Sequence, residues 1–219
     1  MFQHVNGIQL FYEVKGSGKP LIMVHGNSED HTIFDEASEI LKDSFTVYAV
    51  DSRDHGQSTK VSELHYSDMA DDLLVFMNDL DLKDVTFYGF SDGGILGLLL
   101  AQKTDRISRL IVSGANMTPD GVSGKLKLLV KVLHFFTKDS KLKMILNEPH
   151  ITAEELSAIK VPTTVIAGEK DLVLRRETEA IAAAIPGSKL RILKGEGHGS
   201  YIVHKTRIAE LILEETSQN

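Results

Sequence analysis

The stretch Val85-Thr86-Phe87-Tyr88-Gly89-Phe90-Ser91-Asp92-Gly93-Gly94-Ile95-Leu96-Gly97-Leu98-Leu99-Leu100 decides the reading of this chain. Its first six residues are mostly β-branched or aromatic, as a buried strand requires, and from Gly94 onward it reads as an apolar helix. Between the two stands G-x-S-x-G, residues 89–93, on a strand-to-helix turn. Such a turn lifts a serine hydroxyl above the sheet and presses together the residues two before and two after it, where only tiny side chains fit. The helix that follows points its amino end at the serine, where partial positive charge and unpaired N–H groups stabilise a developing oxyanion. The bland alternative is a serine that merely caps the helix.

Working outward, short apolar runs at 21–24, 46–50, 110–112, 163–167 and 190–193 read as further buried strands. Residues 2–15 alternate apolar and polar about Asn6-Gly7, which predicts an antiparallel opening hairpin. Helical spacing recurs between the strands, at Ile33, Phe34, Ala37, Ile40 and Leu41, at Met69, Ala70, Leu73, Leu74, Met77 and Leu80, and at Ala180, Ile181, Ala184 and Ile185. Strand–helix alternation predicts an α/β fold, a mostly parallel sheet covered on both faces, with the chemistry just beyond the carboxyl ends of strands. One segment, 117–159, breaks the rhythm. It is helix-like and lysine-rich and reads as a short inserted lid, leaving one domain over 1–219.

Composition narrows the function. The 219 residues carry 24 Lys plus Arg against 31 Asp plus Glu, a formal charge of −7, so the footprint of a nucleic-acid binder is missing. Without cysteine there is no thiolate nucleophile, disulfide or cysteine-based metal centre. No apolar run approaches the roughly 18 residues of a membrane helix and the start lacks a signal-peptide pattern, so a cytoplasmic protein is expected.

A serine hydroxyl attacks at neutral pH only when a base takes its proton and an acid orients that base. Of nine histidines, His198 alone lies on a glycine-rich loop, Gly195-Glu196-Gly197-His198-Gly199, after the last predicted strand. Asp171 follows the penultimate strand and is preferred as the acid to Asp92, Asp120, Glu169 and Glu196. The chain order is then Ser91, Asp171, His198. The backbone amides of Asn27, after the strand 21–24, and of Asp92 are placed as oxyanion donors, and His25 is read as a packing residue. His134 and His204 fall in predicted helices and carry no role.

With these residues in order the chain resembles the α/β-hydrolase superfamily over nearly its whole length. The loop Asp51-Ser52-Arg53-Asp54-His55-Gly56-Gln57-Ser58 is similar to the family's D-x-R-G-x-G-x-S, with Asp54 where glycine is common. The resemblance implies a serine hydrolase acting on a small ester, amide or related acyl bond, with no metal and no organic cofactor. The elbow is also similar to that of the valacyclovir hydrolase, or biphenyl hydrolase-like, group, in which the aspartate after the nucleophile helps to recognise a substrate amino group. Other readings stay open: a ligand sensor on the same fold, or perhydrolysis, thioester or carbon–carbon bond cleavage by the same triad.

The segment 121–145 holds six lysines and one aspartate, a net +5, which leaves −12 on the rest of the −7 chain. In one reading these lysines draw in an anionic substrate or a membrane surface, with Leu128, Leu129, Val132, Leu133, Phe135 and Phe136 facing the site. In the other, favoured from sequence, the segment is a solvated amphipathic lid. Expected partners are therefore a small-molecule substrate, without nucleic acid or membrane contact, for a monomer or homodimer.

Overall fold

The computed structural model describes residues 1–217. Its strands are β1 (Phe2–Val5), β2 (Ile8–Lys15), β3 (Lys19–Val24), β4 (Phe45–Val50), β5 (Val85–Phe90), β6 (Ile107–Ser113), β7 (Thr163–Lys170) and β8 (Lys189–Gly197). The helices are α1 (Asp35–Leu41), α2 (Tyr66–Asp79), α3 (Asp92–Leu100), α4 (Gly124–Thr137), α5 (Ser140–Asn147), α6 (Ala153–Ser157), α7 (Arg175–Ala184) and α8 (Arg207–Thr216). The sheet runs β1-β2-β4-β3-β5-β6-β7-β8. The hairpin β1–β2 and the β2–β4 pair are antiparallel, and every pairing from β4 to β8 is parallel. Asn6 and Gly7 both have positive φ, 44° and 80°, as the tight hairpin turn demands.

Period-two alternation sorts the strand side chains between two cores. Leu21 and Met23 pack with Ile33, Leu41, Ile208 and Ile212 under α1 and α8, whereas Ile22 and Val24 pack with Leu73, Phe76, Leu96 and Ile181 under α2, α3 and α7. All six residues of β5, the strand that delivers Ser91, are buried.

α4, α5 and α6 lie between β6 and β7, inside the segment expected as an insertion. No helix among the described residues is long and apolar enough to cross a membrane. His204, expected in a helix, sits instead in a turn with φ 51°, ahead of α8.

Candidate active site

At the carboxyl end of β5 the backbone of Ser91 takes φ 53° and ψ −113°, an unusual conformation for a non-glycine residue. Neighbours hold it there: Ser91 N–H donates to Ser113 O at 2.8 Å, Ile95 N–H to Ser91 O at 3.1 Å, and Gly93 N–H to His25 O at 3.1 Å. The glycines are required by space. A Cβ at Gly89 would lie 2.0 Å from Gly93 O, and one at Gly93 would lie 2.1 Å from Val24 O. The Ser91 side chain makes no capping bond to α3, which removes the bland reading.

Its hydroxyl instead lies 3.1 Å from His198 Nε2, and His198 Nδ1 lies 2.6 Å from Asp171 Oδ1. Residues 107 and 27 positions apart in sequence are thus joined in one hydrogen-bonded chain. With Nδ1–H donating to the carboxylate, Nε2 is left to accept the serine proton. β7 and β8 extend further than the sequence runs suggest, to Lys170 and Gly197, and so carry Asp171 and His198 to the same rim as Ser91. Burial disfavours the charge on Asp171, but hydrogen bonding and attraction to His198, with N–H bonds from Val173 (2.9 Å) and Gly168 (3.2 Å), outweigh it and hold the carboxyl below the ordinary aspartate range. Gly114, φ 62°, backs the imidazole so closely that a Cβ there would lie 2.7 Å from His198 Cε1.

The other candidate acids are engaged elsewhere. Glu169 accepts from Gly195 N–H at 2.8 Å, Glu196 accepts from Ser200 Oγ, and Asp120 pairs with Lys127. His25 is buried, donating Nδ1–H to Gly26 O at 2.7 Å and accepting Ser52 N–H on Nε2 at 3.1 Å. Burial lowers its pKa, and burial together with His25 pushes His55 down to about 4, so both rings stay neutral.

Asn27 and Asp92 meet beside Ser91. Asn27 Nδ2 donates to Asp92 Oδ2 at 2.9 Å, which fixes the β3 loop against the start of α3, where the first-turn amides have no partner within the helix. Tyr66, a residue the sequence reading passed over, donates its hydroxyl to Asp92 Oδ1 at 2.8 Å. Both carboxylate oxygens of Asp92 are therefore engaged, and burial raises its pKa, with the Asn27 and Tyr66 bonds opposing. This arrangement makes Asp92 a brace between the loop after β3 and α2 rather than an open acceptor.

Two hollows, of about 270 and 50 Å³, both include Ser91 and His198 in their linings. Leu126, Leu129, Val130, Leu133, Leu142 and Ile145 form the lid side of the larger one. Of the six lid residues expected to face the site, only Leu129 and Leu133 do so. A larger groove of about 1060 Å³ opens at the amino ends of the parallel strands, among Lys19, Asp84, Arg109 and Glu214. It holds none of Ser91, Asp171 or His198 and lies at the wrong end of the sheet for an α/β site.

Glu29 is a second residue missed from sequence, although the acidic pair in Gly26-Asn27-Ser28-Glu29-Asp30 stands on the loop directly after β3. It lines the larger hollow and accepts Gly26 N–H on Oε2 at 3.0 Å. Burial raises its pKa, and the Gly26 bond and nearby His198 only partly offset this. Asp54 adopts φ 64°, which explains why glycine is common there. Its carboxylate accepts from Lys141 Nζ at 2.8 Å and from Ser140 Oγ at 3.1 Å, tying α5 to the loop after β4. Asp30, His31 and Asp51 bring donor atoms together, but Asp51 is spent on His31 N–H, His31 Nδ1 and Gln57 N–H at 2.7 to 2.8 Å.

A family model described as alpha/beta hydrolase fold matches residues 19–139, more than half of the chain, and the chain belongs to that family. Among relatives, it is 26% identical to the AB hydrolase superfamily protein YisY of Bacillus subtilis, covering 94% of this chain and 95% of that one. It is also 26% identical to the human serine hydrolase BPHL, over 90% of this chain and 79% of the relative. A thermophilic esterase from Thermogutta terrifontis superposes with a TM-score of 0.78 at 25% identity, covering 99% of this chain and 96% of the esterase. An enol-lactonase from Burkholderia xenovorans LB400, TM-score 0.81 with full coverage of both chains, shares the fold at 21% identity.

Proposed function

We propose that the protein is a serine hydrolase that cleaves small, uncharged acyl substrates through a covalent acyl-enzyme. The observation that carries this reading is the unbroken Asp171–His198–Ser91 hydrogen-bond chain, 2.6 Å and 3.1 Å, at the rim of a partly apolar hollow. Ser91 Oγ attacks the substrate carbonyl carbon as its proton passes to His198 Nε2, while Asp171 holds the imidazole in the tautomer that can accept it. The negative charge forming on the carbonyl oxygen is met by the amides of Asn27 and Asp92; one such donor is typically worth about 3 kcal/mol in the transition state. His198 returns the proton to the leaving group, and water, activated by the same ring, releases the acyl chain.

Two features support the substrate class. The larger hollow, about 270 Å³, lies just below the roughly 300–1,000 Å³ usual for drug-sized ligands, which favours a short acyl group. Its described lining includes the Glu29 carboxylate and neither lysine nor arginine, so a substrate carboxylate would meet repulsion without a counter-ion. The site therefore favours neutral esters, lactones or amides over acyl groups bearing a carboxylate.

The test is labelling with a fluorophosphonate probe. Wild-type protein should be modified at Ser91, Ser91→Ala should not, and turnover of short-chain esters should follow the same pattern. Failure of the folded wild-type protein to react would overturn the hydrolase reading and favour a ligand sensor on the same fold.

A further inference from the structure

Helix α4 presents its apolar side to solvent. Val130 is its only buried residue, whereas Leu128, Leu129, Val132, Leu133, Phe135 and Phe136 are 43% to 77% exposed. Leu128, Val132 and Phe136 form one i, i+4, i+8 ridge, with Leu129 and Leu133 on the row beside it, so the exposed groups make a continuous stripe. These six account for half of the twelve large apolar side chains exposed among the described residues. A solvated cover would do the reverse, burying this stripe and exposing its polar side. The stripe also runs into the site: Leu129, Leu133 and the 41% exposed Leu172 line the hollow above Ser91.

Charge indicates what covers the stripe. Lys125 and Lys131 are exposed on α4, and Lys138, at its carboxyl end, sits 4.8 Å from the Phe135 ring. The segment 121–145 carries +5 against −12 for the remainder of the chain. A second copy docked stripe to stripe would bring two such positive segments together. A stripe docked on another copy's acidic body would make a head-to-tail contact with nothing to close it. An anionic bilayer satisfies both properties at once, taking the leucines and phenylalanines at the acyl-chain boundary and the lysines at its headgroups. The helix would lie along the surface. Its 14 residues span about 21 Å, too short for a hydrocarbon core about 30 Å thick.

We propose that α4 binds the surface of an anionic lipid bilayer through this stripe and its lysines, with the mouth of the Ser91 hollow facing the membrane. The contact is independent of the chemistry at Ser91, because none of the lysines and no more than the edge of the stripe belongs to the site.

The full-length protein is sedimented with vesicles of phosphatidylcholine alone and with vesicles containing phosphatidylglycerol. Partitioning should be about tenfold or more in favour of the anionic vesicles and should weaken at high salt. The combined Leu128→Ser, Phe135→Ser, Phe136→Ser variant should lose binding to both, and Lys125→Gln with Lys131→Gln should lose the anionic preference alone. The chain has no tryptophan, so Phe136→Trp adds a single reporter whose emission should shift to the blue when anionic vesicles are added. That reading does not depend on how the serine variant folds. An unshifted reporter, absence of sedimentation, or equal binding to both vesicle types would overturn the proposal. So would a dimer in analytical ultracentrifugation that is lost in the serine variant, which would assign the stripe to a second copy.

Discussion

Replacing Gly114 by alanine tests the site without touching any group that carries its chemistry. The new Cβ would lie 2.7 Å from His198 Cε1 and 2.9 Å from Nδ1, where ordinary contact begins near 3.4 Å. The imidazole must retreat by roughly 0.7 Å to regain contact distance. Since Nδ1 is tethered to Asp171 at 2.6 Å, the retreat falls largely on the Nε2 end, now 3.1 Å from Ser91 Oγ. Stretched toward about 3.8 Å, that contact no longer transfers a proton directly. Misplacement on this scale costs about 10²-fold, equivalent to about 2.7 kcal/mol of barrier. The alanine also occupies φ 62°, which L-residues disfavour by about 1–2 kcal/mol, so Tm should fall by about 2–8 °C. Ester kcat/KM and the phosphonate labelling rate, measured well below both melting temperatures, should drop together by about two orders of magnitude. Rates within about threefold of wild type in folded Gly114→Ala protein would show that His198 does not work from this position.

Further outcomes follow from single residues. Asp171→Asn should lower kcat by about 10⁴-fold, because the amide no longer selects the tautomer that leaves Nε2 unprotonated. The Asp171 pKa is depressed in the folded state, so its contribution to stability is fully present above the ordinary aspartate pKa and is lost as pH falls through the lower folded value. The Tm gap between wild type and Asp171→Asn should therefore stay level down to about pH 4 and close only below it. Glu29 has the opposite sign: its raised pKa means that ionisation costs stability as pH rises from the ordinary value through the folded one. Glu29→Gln, which keeps an acceptor for Gly26 N–H, should raise Tm near pH 7, lose that gain below about pH 4, and improve turnover of carboxylate-bearing esters relative to neutral ones. Asp54→Gly relaxes the backbone at φ 64° but removes the partner of Lys141. Faster amide exchange confined to 140–147 should result, and unchanged exchange there would count against Asp54 as the lid's anchor.

The sequence exposes those parts of the molecule that are local. G-x-S-x-G between a β-branched run and an apolar run can be read because Gly89 answers a contact with nearby Gly93, although Gly93 itself is required by Val24 of the neighbouring β3, and the parallel sheet follows from the strand–helix alternation. His198 and Asp171 are legible as loop residues after strands, since the fold itself fixes where strand ends converge. Tyr66 and Glu29 were not, because their importance arises from partners distant in the chain or from burial that no nearby pattern reports. Tyr66 reaches Asp92 across 26 residues, and Glu29 gains its character from the hollow. In the lid, Leu129 and Leu133 face the hollow as expected, whereas Leu128, Val132, Phe135 and Phe136 do not. Apolar spacing on α4 gives the face but not its direction, and direction depends on what the helix packs against.

The direction of that face and the anchoring of its neighbour have a common cause. α5 is held to the body by the Asp54–Lys141 pair, whose side chains are 8% and 18% exposed, and by Met144, which is buried. α4 precedes it through a two-residue turn at Lys138 and Asp139, with Lys138 in the left-handed region, so the chain reverses before α5 docks. With α5 on the surface beside Ser91, α4 packs through Val130 and the partly buried Leu126; Leu129 and Leu133 edge the hollow, and Leu128, Val132, Phe135 and Phe136 are left outside. The position of α5, held in part by one aspartate where glycine is common, thus bears on how much of the lid is available to a membrane. Loosening that pair in Asp54→Gly should let α4 settle inward over the hollow. Vesicle binding would then fall with no change to any residue of the stripe, whereas undiminished binding in that variant would separate the anchor from the exposed face.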